Sequence, residues 1–357
     1  MTTRICVVGA GFWATTMHLP AFAMMPDARV VRIVTATESS ARDTAERFDI
    51  ARWGTDLAEA IADPQVDLID IVAPPFVHAE AVRLAAAAGK DAICIKPLGR
   101  SVAEAERMVA DVERAGTRLF YAENVPFIPA VQEARRLVDA GHIGDVFRVK
   151  ASEGIGEPHS GWFFDEELSG GGAVLDMAVH SIEFCRFFAA SDVATVSAET
   201  GTFVWQERTH AEDTAVLTLR FQDGAIGLCE DSWSLAGAMD SRFEIIGTKG
   251  RIMIDNLYRQ PLQVISTTGS AEAPEGWSYP SPLPGLVADG HLAMLSHFLE
   301  ARESGEQSRS EGMVGVGVLR VVEAALESAR TGRRVAISNQ STASSTSTNT
   351  ATTGAST

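Results

Sequence analysis

The sequence has few cysteines, few lysines and no long apolar run. Its four cysteines, Cys6, Cys94, Cys185 and Cys229, are far apart in 357 residues, so no close pair suggests a metal or redox motif. No apolar stretch approaches the roughly 20 residues that a membrane-spanning helix needs, and the N-terminus lacks a signal-peptide layout. These absences predict a soluble, cytoplasmic protein with reduced core thiols and no bound metal.

Acidic residues outnumber basic ones. The chain has 30 Lys and Arg against 47 Asp and Glu, a formal net charge of −17. Such a charge repels nucleic-acid phosphates and anionic lipid, so neither is an expected partner. With 46% hydrophobic residues the chain has ample material for a core. At roughly 150 residues per domain, this length predicts two domains.

The first 124 residues alternate short β-branched runs with helical patterns, which is typical of βαβ units and an α/β domain with a parallel sheet. Strand candidates lie at 5–8, 30–35, 68–72, 92–95 and 119–121. Helical periodicity covers 76–88 and 102–115, each ending at a glycine. Several of the strands are almost wholly apolar, as expected where helices cover both faces of a sheet.

Residues 125–338 are expected to form an α+β domain with an open, mainly antiparallel sheet. Strand candidates lie at 145–151, 193–205, 214–221, 225–233 and 242–246. Late helices at 291–301 and 313–330 would cover this sheet or return to the first domain; the pattern does not decide between them. Residues 339–357 are almost wholly Ser, Thr, Ala and Asn, which predicts a disordered tail.

A glycine-rich turn follows the first strand candidate. It reads Gly9-Ala10-Gly11-Phe12-Trp13-Ala14, a G-x-G-x-x-A form of the dinucleotide fingerprint. Gly9 would permit a tight turn and Gly11 a close approach to a pyrophosphate. The alternative is a strand-to-helix turn that uses glycine for backbone reasons alone.

The end of the second strand bears on cofactor choice. Thr37, Glu38 and Ser39 lie where the adenosine ribose would be held, and a Glu38 carboxylate would repel a 2′-phosphate, favouring NAD. Ser39, Ser40 and Arg42 would instead bind that phosphate if Glu38 turned away, which leaves NADP possible. The structural alternative is that Ser39 or Ser40 caps the next helix.

Three separated residues are candidates for catalysis. Lys96 ends a strand at the edge where parallel sheets bind ligands, and a lysine there can stabilise negative charge on a substrate oxygen. Asp176 and His180 are four residues apart, so one helix would present both on one face. Histidine is suited to proton transfer near neutral pH. The alternatives are a solvated lysine, and an Asp near a helix start with a surface histidine partner.

A loop before the glycine-rich helix mixes aromatic and polar side chains. Aromatic faces cover sugar C–H groups while polar groups bind hydroxyls, so His159 and Trp162 are candidate substrate contacts. The alternative is that these aromatics only pack on the second domain. His210 and Glu212, further along, are expected to be solvated.

Taken together, these segments resemble the glucose-fructose oxidoreductase, inositol dehydrogenase and MocA-like (Gfo/Idh/MocA) family over roughly residues 4–334. The matching segments come in family order and are Gly9-Ala10-Gly11 with His18, Ala73-Pro74-Pro75 with His78, Lys96-Pro97, Ile143-Gly144-Asp145-Val146, and the helix with Asp176 and His180. Two positions depart from the family pattern: Ile95 replaces the usual Glu before Lys-Pro, and Ala14 replaces the third glycine.

The resemblance implies a Rossmann domain and a catalytic set of Lys96, Asp176 and His180, with Ala73, Pro74, His78, Glu123 and Asn124 lining the cofactor cleft. It implies NAD(P)-dependent oxidation of a secondary hydroxyl on a sugar, glycoside or cyclitol. The alternatives are an NADP-linked keto-sugar reductase and, because of Ile95, a cofactor-binding sensor without turnover. An open sheet with one uncovered face predicts a homodimer or homotetramer through that face.

Overall fold

The computed structural model describes residues 2–257, 261–270, 274–278 and 287–337. The predicted disordered tail at 339–357 therefore lies outside the described residues. Within the described parts of the chain, no helix is both long and apolar enough to cross a membrane.

The N-terminal half forms a six-stranded parallel sheet with helices between the strands, as predicted. In chain order its elements are β1 (Thr3–Val8), α1 (Leu19–Met24), β2 (Ala28–Val34), α2 (Glu38–Phe48), β3 (Arg52–Gly54), α3 (Leu57–Ala62), β4 (Leu68–Ile71), α4 (Pro75–Ala87), β5 (Asp91–Ile95), α5 (Val102–Ala115) and β6 (Leu119–Ala122). The strand order is β3-β2-β1-β4-β5-β6, the doubly wound order of a dinucleotide-binding sheet.

Alternation along β1 shows why this sheet needs helices on both faces. Ile5 and Val7 belong to one buried cluster, while Cys6 and Val8 belong to another on the opposite face. All four side chains are almost fully buried. A strand buried on both faces reads as a continuous apolar run, which is why the sequence revealed it.

The second half forms a nine-stranded mixed sheet with helices on one face. Its elements are α6 (Pro129–Asp139), β7 (Val146–Ile155), α7 (Glu166–Ser169), α8 (Ala173–Asp176), α9 (Ala178–Ala189), β8 (Val193–Gly201), β9 (Thr214–Phe221), β10 (Ile226–Ser232), β11 (Met239–Gly247), β12 (Gly250–Asp255), β13 (Leu262–Ser266), β14 (Gly276–Ser278), α10 (Val287–Ser304), α11 (Gly312–Thr331) and β15 (Val335–Ala336). The order is β14-β13-β12-β11-β7-β10-β9-β8-β15, and β7 and β10 pair in parallel while the other pairs are antiparallel.

One predicted strand is shorter than expected. The sequence pattern extended it to Trp205, but β8 ends at Gly201. The Asp213 carboxylate accepts hydrogen bonds from the backbone N–H groups of Phe203, Val204 and Trp205. Because one carboxylate gathers three consecutive donors, the chain turns there and no strand partner is needed.

The two late helices take different sides, a question that the sequence left open. Helix α10 packs against α1 and β6 of the first sheet, whereas α11 packs on β8 and also on α5. Phe298 of α10 stacks on Phe120 of β6 with ring centroids 5.0 Å apart. The first sheet is therefore covered on one side by a helix from the end of the chain.

Candidate functional site

A cleft of about 640 Å³ opens where the carboxyl ends of the first sheet meet the second half of the chain. This is the edge at which open parallel sheets bind ligands. Residues from both halves line the cleft, and the predicted site residues among them are Gly9, Gly11, Phe12, Trp13, Thr37, Ala73, Pro74, Lys96, His159, Trp162 and Asp176. Ile95 lines it as well, with its side chain in the core of the first sheet.

The glycine turn has the geometry of a pyrophosphate cradle. Gly9 has φ of +108°, and a Cβ there would lie 2.2 Å from the carbonyl oxygen of Val72, so only glycine fits. A Cβ at Gly11 would meet nothing within 4 Å, which leaves its backbone accessible from the cleft. A helical segment begins directly after Gly11 and buries Ala14, and its first residues, Phe12 and Trp13, line the cleft.

At the end of the cleft near Thr37, the residues that line the wall differ from those predicted from the sequence. Thr35, Thr37 and Ser40 line it, but Glu38 and Ser39 are exposed and lie outside the lining. Thr37 caps α2 by accepting a hydrogen bond from the Ser40 backbone N–H at 3.3 Å. The cap is therefore Thr37 rather than Ser39 or Ser40. Glu38 lies in the first turn of α2, and its side chain is exposed to solvent.

Lys96 and Asp176 come together at the inner end of the cleft. The Lys96 Nζ donates to Asp176 Oδ1 at 2.7 Å and to the Asp176 carbonyl oxygen at 2.8 Å. Both side chains are about nine-tenths buried. Burial alone would raise the pKa of Asp176, but the Lys96 ammonium and hydrogen bonds from Lys96 and Trp233 lower it. The pair is thus an ionised carboxylate holding an ammonium beside the glycine turn.

Trp233 is a site residue that the sequence analysis missed. Its indole Nε1 donates to Asp176 Oδ2 at 2.8 Å, and its side chain is fully buried. Trp233 follows β10, 57 residues after Asp176, so no local pattern connects the two. The only sequence signal was a tryptophan at a predicted strand end.

His180 lies close to this pair but bonds a different partner. The helix expected to carry both residues is interrupted at Met177, so Asp176 ends α8 and His180 lies in the first turn of α9. His180 Nδ1 lies 2.8 Å from Glu123 Oε1. Asp176 therefore orients Lys96, while Glu123 orients His180, which corrects the expectation of one shared helix face.

Three residues that the resemblance placed along the cofactor cleft lie behind it. His78 is fully buried and contacts the carbonyl oxygens of Ala73 and Pro97 through its ring nitrogens at 2.8 and 3.1 Å. Burial lowers the pKa of His78 despite those acceptors. Glu123 is engaged by His180, and Asn124 packs beneath Gly290 of α10. Their positions indicate support of the cleft wall rather than direct lining.

The aromatic loop reaches the cleft from the second half. His159 stacks on Phe12 with ring centroids 4.6 Å apart, and Trp162 stacks on Phe163 at 3.8 Å. Burial lowers the pKa of His159, which favours the neutral ring that stacks. Both His159 and Trp162 are positioned to contact a ligand.

The expectation that Glu212 is solvated is wrong. Glu212 Oε1 accepts a hydrogen bond from the Val174 backbone N–H at 2.9 Å, and its own carbonyl accepts from the Ala173 N–H at 2.8 Å. Glu212 thus satisfies the start of α8, the helix that ends in Asp176. His210 is exposed, as expected.

No group of three or more His, Cys, Asp or Glu side chains within the described ranges is arranged to hold a metal ion. The four cysteines are free and buried, and two of them, Cys185 and Cys229, approach to 3.9 Å between sulfur atoms. No local pattern predicts that approach, since 44 residues separate the two cysteines.

Comparison with known proteins identifies the family. Residues 3–123 match the profile of an oxidoreductase family with an NAD-binding Rossmann fold, and residues 131–253 match a Gfo/Idh/MocA C-terminal domain. The chain is 30% identical over 336 residues to a myo-inositol 2-dehydrogenase of Thermotoga maritima, covering 93% of this chain and 98% of that protein. The chain belongs to the Gfo/Idh/MocA oxidoreductase family.

Other members of the Gfo/Idh/MocA family are similar over nearly the whole chain. A D-apiose dehydrogenase of Rhizobium rhizogenes is 29% identical, covering 93% of this chain and 96% of that protein. A solved levoglucosan dehydrogenase in complex with NADH superimposes with a TM-score of 0.87 at 26% identity, covering 95% of this chain and all of that chain. The resemblance inferred from the sequence is confirmed, and so is the Rossmann fold.

Proposed function

We propose that this protein is an NAD(P)-dependent dehydrogenase that oxidises a secondary hydroxyl of a sugar, glycoside or cyclitol. The observation that carries the proposal is the buried Lys96–Asp176 pair, which lies in the same cleft as the Gly9–Gly11 turn. One end of the cleft suits a pyrophosphate and the other holds an ammonium next to a histidine. The cleft thus holds both the glycine turn and the Lys96–Asp176 pair, whereas His180, whose side chain is 13% exposed, is not among the residues that line it.

The residues that would hold the dinucleotide are those whose backbone or hydroxyl groups face the cleft. Gly9 and Gly11 would bind the pyrophosphate, and Thr37 and Ser40 the adenosine ribose. Bound NAD supplies the acceptor for the carbon-bound hydrogen, which leaves the substrate as hydride. None of the lining residues near Thr37 is a cation that would bind the 2′-phosphate of NADP, so NAD is the preferred cofactor. None of them is a carboxylate that would repel this phosphate either, so the preference for NAD over NADP is small.

Lys96 would donate a hydrogen bond to the substrate oxygen as its negative charge develops. Its Nζ has three donors and Asp176 takes two of them, which leaves one for the substrate. His180 would accept the hydroxyl proton at Nε2, since Glu123 engages Nδ1. The Glu123 carboxylate would stabilise the imidazolium so formed. Burial alone raises the pKa of Glu123, but the neighbouring His180 lowers it, keeping that carboxylate ionised.

The substrate class rests on the lining chemistry and on the similar proteins. His159 and Trp162 offer a ring face and polar nitrogens to a polyhydroxylated ligand. The similar proteins include inositol, apiose and levoglucosan dehydrogenases, which act on such compounds. Among the residues that line the cleft, Lys96 is the only Lys or Arg, and Asp176 holds it, so a neutral polyol suits the cleft better than a sugar phosphate.

The test is to incubate the purified protein with NAD or NADP and a panel of cyclitols and anhydro- and aldose sugars, following absorbance of the reduced nicotinamide. We expect turnover with at least one neutral polyol, and a kcat at least about 10²-fold lower in Lys96→Met. Tight NAD binding with no turnover on any polyol would favour the cofactor-binding sensor instead. Faster reduction of keto-sugars with NADPH would favour the reductase.

We also infer a homo-oligomer that forms through the outer face of the nine-stranded sheet. That face exposes Val216 and Trp277, and it carries an open cavity of about 320 Å³ beside Met253 and Arg242. The four reduced cysteines fit a cytoplasmic location. Light scattering on the purified protein tests the first inference: a monomeric mass would contradict it.

A further inference from the structure

Trp233 lies on the opposite side of Asp176 from Lys96. The two oxygens of the Asp176 carboxylate are divided between them: Oδ1 accepts from Lys96 Nζ at 2.7 Å and Oδ2 accepts from the Trp233 indole at 2.8 Å. A carboxylate held by one donor can rotate about its terminal bond, whereas two donors on different oxygens fix its plane. The orientation of Lys96 thus depends on a contact outside the cleft lining.

Trp233 is itself held on several sides. Its backbone N–H donates to the Asp213 carbonyl at 2.7 Å, and its carbonyl accepts from the Trp205 indole at 3.0 Å. The edges of Phe163 and Phe164 contact its ring, with centroids 6.2 and 6.0 Å away. A fully buried indole with these neighbours has one direction in which to point its N–H, and that direction is Asp176.

We propose that Trp233 is a positioning residue of this dehydrogenase, which aligns Lys96 by fixing the Asp176 carboxylate. The inference rests on the proposed function, because Lys96 is assigned there to the substrate oxygen. Trp233 does not itself line the cleft: its hydrogen bond to Asp176 is its link to Lys96, and its contact with Phe163 is its link to the cleft wall. Its hydrogen bond also keeps Asp176 directed at Lys96 rather than at His180.

The same contact affects the charge on Asp176. Burial favours the neutral acid and raises the pKa of Asp176, while the Lys96 ammonium and the Lys96 and Trp233 donors lower it. The other titratable groups that act on this pair include His180, Glu123 behind it, and His159 across the cleft. Without the indole donor, fewer interactions would counteract the effect of burial, so the pKa of Asp176 would rise.

The test compares Trp233→Phe with Trp205→Phe. Both changes remove an indole donor from the same aromatic cluster, but only the first removes a bond to Asp176. We expect kcat to fall about tenfold in Trp233→Phe, the loss typical of one hydrogen bond to a charged group. NADH affinity and unfolding temperature should match those of Trp205→Phe, whose kcat should stay within about twofold of the wild type.

A second readout does not need turnover. The chain has four lysines, Lys90, Lys96, Lys150 and Lys249, so mass spectrometry after brief amine acetylation resolves each one. In Trp233→Phe we expect faster labelling of Lys96 relative to Lys249, because its two bonds to Asp176 loosen. Trp205→Phe should leave that ratio unchanged.

Equal kcat and equal Lys96 labelling in the two variants would overturn the positioning role. If Trp233→Phe does not fold, ¹⁵N-indole NMR of the other variants decides: one indole signal should shift in Asp176→Asn, and no shifted signal would overturn the proposal. If the wild type oxidised no polyol, the proposed dehydrogenase function would be wrong. The lysine labelling and the indole NMR would still show whether Trp233 holds Asp176.

Discussion

The Nζ of Lys96 donates to both the carboxylate and the carbonyl oxygen of Asp176, although the two residues lie 80 positions apart and belong to the parts of the chain that form different sheets. Lys96 follows β5 of the parallel sheet, and Asp176 ends the short helix α8 that Glu212 holds from the other side. The pair therefore joins the two halves at the inner end of the cleft. Any relative movement of the halves would move the ammonium.

Replacing Lys96 by Met should nearly abolish turnover. Methionine keeps the length of the side chain but has no donor for the developing oxygen charge, so we expect kcat to fall by about 10²-fold to 10³-fold. NAD affinity, measured by calorimetry, should change little. Lys249→Ala, a lysine in the exposed β11–β12 turn, is the matched control and should behave as the wild type. A Lys96→Met enzyme with normal kcat would remove the lysine from the mechanism.

Glu123→Gln should slow proton transfer while the protein stays folded. The amide keeps the shape of the side chain but carries no charge to stabilise the imidazolium of His180, so kcat should fall roughly tenfold to a hundredfold. Steady-state rates measure this loss. Glu104→Gln, which changes another buried glutamate, paired with Arg100, is the control. Equal rates in the two variants would mean that Glu123 serves the fold alone.

Cofactor preference should respond to Thr35 more than to Glu38. Because the Glu38 carboxylate is outside the cleft, Glu38→Ala should change the ratio of kcat/KM for NAD and NADP by less than about threefold. Thr35→Asp puts a carboxylate into the lining at the end of β2, which should disfavour the 2′-phosphate of NADP by about tenfold or more. A large effect of Glu38→Ala would show that Glu38 turns into the cleft when a cofactor binds.

Buried Asp231 should make the fold less stable as pH rises. Burial raises the pKa of Asp231 well above its ordinary value, although the hydrogen bond from Ser181 lowers it in part. The folded state then binds more protons than the unfolded state above about pH 4, so stability falls with increasing pH. Asp231→Asn should raise the unfolding temperature at pH 7 by at least about 2 °C, and by less near pH 4.

Asp240→Asn is the matched control and should have the opposite sign. Burial would raise the pKa of Asp240, but hydrogen bonds from Arg242 and Ser152 lower it, so its ionised form stabilises the fold at neutral pH. Thermal unfolding of Asp240→Asn should occur at lower temperature at pH 7, with the difference shrinking as pH falls through the folded pKa. A gain in stability at pH 7 from both changes would contradict this assignment of charge.

Features encoded locally were predictable from the sequence. The glycine turn, the apolar strand β1 and the lysine after β5 are each specified within a few residues. The structure places β1 in the middle of the parallel sheet, and the turn and the lysine at the carboxyl ends of its strands. The alternation of apolar and polar residues likewise predicted β9. It predicted too long a β8, because hydrogen bonds to the Asp213 carboxylate turn the chain after Gly201.

The partners of the catalytic candidates were not predictable in this way. Trp233 is hydrogen-bonded to Asp176, and Glu123 to His180, and 57 residues separate the members of each pair. Whether Asp176 or Glu123 meets His180 depends on where α8 ends, at Met177. The position of Glu38 was similarly decided by a cap one residue earlier, at Thr37. Such choices depend on three-dimensional packing, which periodicity does not encode.

Deuterium transfer from the substrate carbon to NAD reports on the proposed hydride transfer itself. A neutral polyol that supports turnover, deuterated at the carbinol carbon, would be incubated with NAD and the wild-type enzyme or Lys96→Met, and the nicotinamide product analysed by mass spectrometry. The account predicts one deuterium in each reduced NAD formed by the wild type and almost no product from Lys96→Met. Reduced NAD without deuterium, or equal product from both enzymes, would contradict it.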